Sequence, residues 1–213
     1  MNVLKINAQN PEASSIEEAV KSLRNEEVII HPTETVYGLA CLSNSEKALN
    51  GVFEIKQRPP QQPFSIMVNK IDDILEISGV NADWLRPFLE KIFPGAVTVL
   101  LPRRNRLFPA FWNQFPLIGF RFPDHKLSMR LLNGTDLPII TTSANLSGGP
   151  SPGSIRAIPV SVLEKAALVL DGGETEHKIP STIIRIDIDC KNISLVRQGA
   201  YSFDKIQNYF VNS

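Results

Sequence analysis

The sequence predicts an α/β or α+β sheet protein, and three observations predict it. Short apolar runs of strand length recur along the chain, amphipathic segments of helical period separate several of them, and no internal repeat of fixed period is visible. With 213 residues, 43% of them hydrophobic and 21% charged, the chain can build one domain or two closely packed lobes. A chain of this length hides roughly 70% of the surface it exposes when unfolded, so neither disulfides nor metal are needed to hold it together.

The chain opens strand, helix, strand. Val3 to Ile6 is a strand, Ser15 and Glu18 form a capping-box pattern for a helix reaching about Asn25, and Val28 to His31 is a strand. Ile16, Ala19, Val20 and Leu23 fall at helical spacing and give that helix one stripe to pack on a sheet. Ser45 to about Lys56 predicts a second helix, with Ala48, Leu49, Val52, Phe53 and Ile55 mostly on one side and Pro59-Pro60 ending it.

Phe64 to Val68 reads as a strand, Ile71 to Ile77 as a short helix, and Asn81 to Phe93 as a longer helix restricted by Pro87. Pro94-Gly95 turns the chain into the strand Ala96 to Leu101. Leu117 to Phe122, Pro138 to Thr142, Leu168 to Asp171, Thr182 to Ile186 and Ile193 to Val196 complete the strands. Helices at about His125 to Asn133 and Pro159 to Ala167 lie between several of them. Gly148 to Ser154 could link two domains, but its seven residues have the length of a surface loop inside one domain.

Twenty-two basic residues balance 22 acidic ones, which excludes a strongly basic nucleic-acid coat and an acidic disordered tail but not a local basic patch. Cys41 and Cys190 stand far apart, as expected of isolated thiols in a reducing cytosol. The N-terminus lacks the basic and long apolar regions of a signal peptide and no run approaches 18 apolar residues, so a cytoplasmic chain without a membrane partner is expected.

Polar chemistry collects where apolar strands end, which is where open α/β sheets bind ligands. The run from Val28 passes into Thr33, Glu34 and Thr35, then Tyr37 and Gly38. Lys56 and Arg58 stand two apart beside Pro59, which displaces Arg58 from helical geometry; the two cations suit a phosphate, or else simply complement a helix C-terminus. Arg121 ends the run from Ile118 and suits a carboxylate or phosphate, with an exposed edge-strand arginine as the alternative. Thr141, Thr142, Ser143, Asn145 and Ser147 leave another buried-looking strand and offer a nucleotide many donors and acceptors, with local turn bonds as the alternative. Pro180-Ser-Thr182 and Arg197-Gln-Gly199 are weaker pieces of the same kind.

Several chemistries are excluded. No glycine-rich phosphate loop and no paired-cysteine or H-E-x-x-H zinc motif is present, so no metal ligands are assigned. His31 reads as a strand-end packing residue rather than as half of a Ser-His triad with Ser143, because there is no nucleophile elbow.

In this order, HPTETVYGLA, IKQRPPQQPFSIMV, PGAVTVLLP, GFRFPDH, TTSANLSGGPSP, PSTIIRI and VRQGA resemble the YrdC/TsaC family, the threonylcarbamoyl-adenylate synthases of tRNA modification. The resemblance spans about residues 14 to 200 and is to the short members, one YrdC-like domain over 1–213 without the extra C-terminal domain of the longer ones. It implies a twisted mixed parallel and antiparallel sheet flanked by helices, with a concave ligand-binding face. It also implies formation of threonylcarbamoyl-AMP and pyrophosphate from L-threonine, bicarbonate and ATP, with Mg²⁺ carried by the nucleotide.

Carried over by motif, Lys56 and Arg58 would be the catalytic cations on the ATP phosphates, while Ser143, Asn145, Ser151 and Arg197 would hold the nucleotide. Thr35, Arg121 and Ser181 would define the threonine pocket, with Arg121 on the substrate carboxylate. Met67 departs from the family's longer members, which carry a histidine at that place. A downstream transferase complex would take the product to tRNA. The competing expectations are an RNA-binding module using Arg103, Arg104 and Arg106 beside the cleft cations, a paralogue serving another carbamoyl acceptor, and an inactive relative of the YciO type.

Overall fold

The computed structural model describes residues 2–58, 64–104 and 110–213. In chain order it contains β1 (Val3–Lys5), α1 (Ala13–Arg24), β2 (Ile29–His31), β3 (Gly38–Leu42), α2 (Glu46–Lys56), β4 (Ser65–Met67), α3 (Ile71–Ser78), α4 (Leu85–Ile92) and β5 (Val97–Pro102). It continues with β6 (Leu117–Arg121), α5 (Lys126–Thr135), β7 (Ile139–Ser143), α6 (Val160–Leu163), β8 (Leu168–Asp171), β9 (Thr182–Asp187), β10 (Asn192–Arg197) and α7 (Phe203–Val211).

The strands form one sheet in the order β1-β8-β2-β3-β7-β4-β6-β5-β9-β10. Its pairings are mixed, parallel for β1/β8, β2/β8, β4/β6 and β5/β9 and antiparallel for β2/β3, β3/β7, β4/β7, β5/β6 and β9/β10. Period-two alternation divides its apolar residues between two faces. Ile30, Leu39 and Cys41 enter one core with α2, α4 and α7, whereas Ile29, Ala40 and Leu42 enter the other with α1 and α5. The predicted layering of helices on a mixed sheet is therefore present, with both faces covered.

Several local expectations need correction. α1 begins at Ala13, so Ser15 lies inside its first turn and forms no cap; Glu12 holds the cap position without a side-chain cap bond. Ser45 does cap α2, its Oγ accepting from the Ala48 N–H at 3.1 Å. α4 starts at Leu85 rather than near Asn81, which puts Pro87 in the first turn where its missing N–H costs no helical bond. α6 ends at Leu163, and by Ala167 the backbone N–H is bonded to the Val28 carbonyl, already entering β8. β3 and α7 are additional elements, the first starting at the end of the HPTETVYGLA segment and running to Leu42, the second beyond the last motif.

Candidate functional site

The turn between β2 and β3 is organised by one hydroxyl. Thr33 Oγ1 donates to the Val36 carbonyl at 2.8 Å and accepts from the Thr35 and Val36 N–H groups, both at 3.2 Å. Arg121, the last residue of β6, reaches this turn: its Nη2 donates to Glu34 Oε1 at 2.9 Å and to Thr35 Oγ1 at 2.6 Å. The Arg121 and Glu34 side chains are only 7% and 4% exposed. Arg121 Nε and Glu34 Oε2 are buried without hydrogen-bond partners among the described residues.

The next corner is built where α2 ends. Gln57 takes the left-handed conformation (φ 49°), which stops the helix and turns the chain so that Lys56 and Arg58 both reach the site. Pro59 and Pro60, expected to do this, lie outside the described residues. Lys56 Nζ donates to the Ser143 carbonyl at 2.5 Å, to the Asn145 carbonyl at 2.9 Å and to Asn145 Oδ1 at 3.0 Å. An ammonium has three donors, so its charge, more than its N–H groups, is what it offers a ligand. Burial, and then neighbouring Arg58, lower its pKa to about 8. The Arg58 guanidinium lies 5.0 Å from the centroid of the Phe64 ring, and burial lowers its pKa as well.

The turn after β7 is internally bonded. Ser143 Oγ donates to Asn145 Oδ1 and Asn145 Nδ2 to the Gly149 carbonyl, each at 2.5 Å. Local turn bonds and ligand-facing groups thus coexist in the same segment.

On the far side, the Pro180-Ser-Thr182 and Arg197-Gln-Gly199 segments interlock. The Ala200 N–H donates to the Pro180 carbonyl, the Gly199 N–H to Thr182 Oγ1 and Arg197 Nη2 to the Ser181 carbonyl, each at 2.9 Å. A Cβ at Gly199 would lie 2.3 Å from the Pro180 carbonyl oxygen, so only glycine fits. An irregularity in the β9/β10 register between Leu195 and Arg197 accompanies the turn of Arg197 toward the cleft. Burial, and then the charge of Arg121, lower the Arg197 pKa.

These pieces enclose a cleft of about 400 Å³ lined by Lys56, Arg58, Arg121, Ser143, Asn145, Ser151, Ser181 and Arg197. Thr35 does not line it; fully buried, it stands behind Arg121. Arg103 and Arg104 are not among the lining residues: Arg103 donates to the Asn113 and Phe115 carbonyls, and Arg104 pairs with Asp189 at 2.8 Å. Arg106 lies outside the described residues. Thr98, which shares a 2.8 Å hydrogen bond with Ser181, also lines the cleft. A lone hydroxyl within the apolar run from Ala96 to Leu101 was its signal.

His31 is 1% exposed with neither ring nitrogen hydrogen-bonded among the described residues, and burial pushes its pKa down to about 3. It pairs with Gly38, which pairs with Ser143, so two strand spacings, about 10 Å, separate His31 from Ser143. Met67 is buried in the core of α1 and α5, in register beside Arg121. Among the described residues no helix is long and apolar enough to cross a membrane.

The Sua5/YciO/YrdC family model, described as "Telomere recombination", matches residues 21–199. The threonylcarbamoyl-AMP synthase of Bacillus subtilis is 31% identical over 90% of this chain, which spans 55% of that relative's length. A putative threonylcarbamoyl-AMP synthase of Methanocaldococcus jannaschii is 32% identical over 96% of both chains. Among solved structures, P. abyssi Sua5 complexed with L-threonine superposes with a TM-score of 0.87 at 26% identity, over 98% of this chain and 61% of that one. With the family model covering most of its length and the motifs meeting in one cleft, the chain belongs to the Sua5/YciO/YrdC family.

Proposed function

We propose that the chain is an L-threonylcarbamoyladenylate synthase, making threonylcarbamoyl-AMP and pyrophosphate from L-threonine, bicarbonate and ATP for tRNA threonylcarbamoyladenosine modification. The observation that carries this reading is the convergence of Lys56, Arg58, Arg121 and Arg197 on one cleft beside the Ser143 to Ser151 hydroxyl and amide groups. The names of the similar synthases and the L-threonine bound to a structural relative agree with it.

The amine of L-threonine and bicarbonate form a carbamate with loss of water, and a carbamate oxygen attacks the α-phosphorus as pyrophosphate leaves. No enzyme nucleophile is needed, so the chain's task is positioning and charge stabilisation. Arg58 takes phosphate oxygens as a planar fork and Lys56 adds its charge while holding the Ser143–Asn145 turn. Ser143, Asn145 and Ser151 hold the nucleotide and Arg197 closes on it from β10. Arg121 and Ser181 receive L-threonine, with Thr35 fixing Arg121 from behind.

Among the described residues the cleft is lined by no carboxylate, a donor set that suits Mg²⁺ arriving on the triphosphate rather than on protein ligands. A cytoplasmic location, and a separate transferase that takes the adenylate to tRNA, complete the proposal. The test is pyrophosphate and AMP formation with L-threonine, L-serine or no amino acid, with and without bicarbonate, with the adenylate sought by mass spectrometry. Release that requires both L-threonine and bicarbonate is expected. A folded, ATP-binding protein that releases none is not this synthase.

A further inference from the structure

The cations of the cleft differ in what neutralises them. Among the described residues Lys56 Nζ touches only neutral carbonyl and amide oxygens, and Arg197 Nη2 bonds a backbone carbonyl. Arg121 instead forms a buried ion pair with Glu34 at 2.9 Å. Glu34 is itself fixed, because the His177 N–H donates to its backbone carbonyl at 2.9 Å and Thr175 Oγ1 to the next carbonyl, that of Thr35, at 2.8 Å. The pair ties down Nη2 and, among the described residues, leaves Arg121 Nε without a partner.

A ligand anion on Arg121 therefore meets a guanidinium whose charge is already balanced and a second oxyanion behind it. Attraction by Arg121 and repulsion by Glu34 scale alike with ligand charge; what the carboxylate removes is the net attraction that would offset stripping water from a phosphate group with two or more charges, a larger cost than for a carboxylate with one. Both bidentate edges of the guanidinium use Nη2, which Glu34 and Thr35 hold, so a ligand oxygen meets the Nη1 end alone. We propose that Glu34 is a specificity-determining residue that acts through Arg121. It reserves that end of the cleft for a monoanionic carboxylate and keeps polyphosphate at the Lys56 and Arg197 end. Naming the carboxylate as that of L-threonine rests on the proposed function above; the sorting of anions by charge does not.

The probe is inorganic pyrophosphate, titrated calorimetrically into the full chain with and without saturating L-threonine. Wild type should bind one equivalent whose affinity L-threonine leaves unchanged. Glu34→Gln should bind a second equivalent that L-threonine displaces, with pyrophosphate binding at the Arg121 end about tenfold or more tighter than in wild type. Glu34→Asp, which restores the charge, should return to one equivalent. A destabilised but intact fold would not create a new anion site, so the gain separates this role from a structural one.

Pyrophosphate displaced by L-threonine from wild type, or a folded Glu34→Gln variant without the second site, overturns the proposal. Should Glu34→Gln not fold, the wild-type titration decides alone, independence of the two ligands supporting the proposal and displacement overturning it. Wild type without threonine-dependent pyrophosphate release would remove the proposed function, whereas the pyrophosphate stoichiometries need no turnover and still decide the role of Glu34.

Discussion

Lys56 Nζ donates to Asn145 twice, to the backbone carbonyl at 2.9 Å and to the side-chain Oδ1 at 3.0 Å. One ammonium on the last turn of α2 thus shapes the turn that follows β7, joining segments 89 residues apart in sequence. The same group brings positive charge to the cleft wall, so structure and electrostatics at this corner depend on one proton.

That dependence sets a pH profile. With its pKa held near 8 by burial and by Arg58, Lys56 is charged below that value and neutral above it. Its contribution to anion binding is therefore present at lower pH and lost as pH rises through about 8. ATP affinity by calorimetry should fall several-fold from about pH 7 to about pH 9.5. In Lys56→Gln it should be weaker near pH 7, flat over that window and close to wild type near pH 9.5.

Arg58→Ala removes the fork assigned to the phosphates. Loss of charge-assisted bonds at a desolvated phosphate costs about 2–4 kcal/mol of transition-state stabilisation, a fall of roughly 30- to 1,000-fold in kcat/KM for ATP. Steady-state rates on protein with an unchanged circular dichroism spectrum check this. Wild-type kcat/KM would remove Arg58 from the phosphate site.

Gly199→Ala tests the interlock between the last two motifs. The added methyl would lie 2.3 Å from the Pro180 carbonyl oxygen and 2.4 Å from the Ser181 carbonyl carbon, both backbone atoms that cannot swing aside. A loss of about 2 kcal/mol in urea unfolding is expected. Nucleotide affinity should fall with it, because Arg197 is anchored to the Ser181 carbonyl.

His31 makes the fold acid-sensitive. Its pKa falls from 6.5 to about 3 on folding, so the unfolded chain binds the extra proton between those values. The neutral form's contribution to stability is complete above pH 6.5 and is lost as pH falls toward about 3, an effect of roughly 3–5 kcal/mol for a group this buried. His31→Leu should flatten the acid limb of a stability–pH curve measured by urea unfolding. An unchanged limb would mean that other groups control it, among them His125, whose pKa burial lowers to about 4.

What the sequence made legible follows the range of the interactions involved. Ser45 announces α2 because a cap is a local bond, three residues long. Lys56, Arg58, Arg121, Ser143 and Asn145 were legible because polar groups interrupt apolar runs at their ends, whereas Ser151 came only with the family resemblance and Thr98 was not chosen. Ser15 and Glu18 misled because the same capping pattern fits one turn inside a helix, and only the neighbouring Pro11 and Glu12 mark the true start. The partnership of Arg121 with Glu34 and the ties from Lys56 to Ser143 and Asn145 join residues 87 to 89 apart, and no local pattern carries a pairing set by sheet order. For the same reason Thr35 could be chosen as a site residue while its place behind Arg121 stayed hidden.

The strand order gives the cleft its thermodynamic character. β4 is inserted between β7 and β6, and the lining residues come from segments running from Thr33 to Arg197. Such a site has no autonomous part: fraying β10 withdraws Arg197, and loosening β7 from β3 and β4 dissolves the Ser143 turn. Bound ligand is consequently linked to the openings of β3 to β7, β9 and β10, the strands that line the cleft. Amide hydrogen exchange in β5, β9 and β10 is expected to slow on ligand binding together with exchange in the loops that touch the ligand, so that occupancy gauges the integrity of most of the sheet.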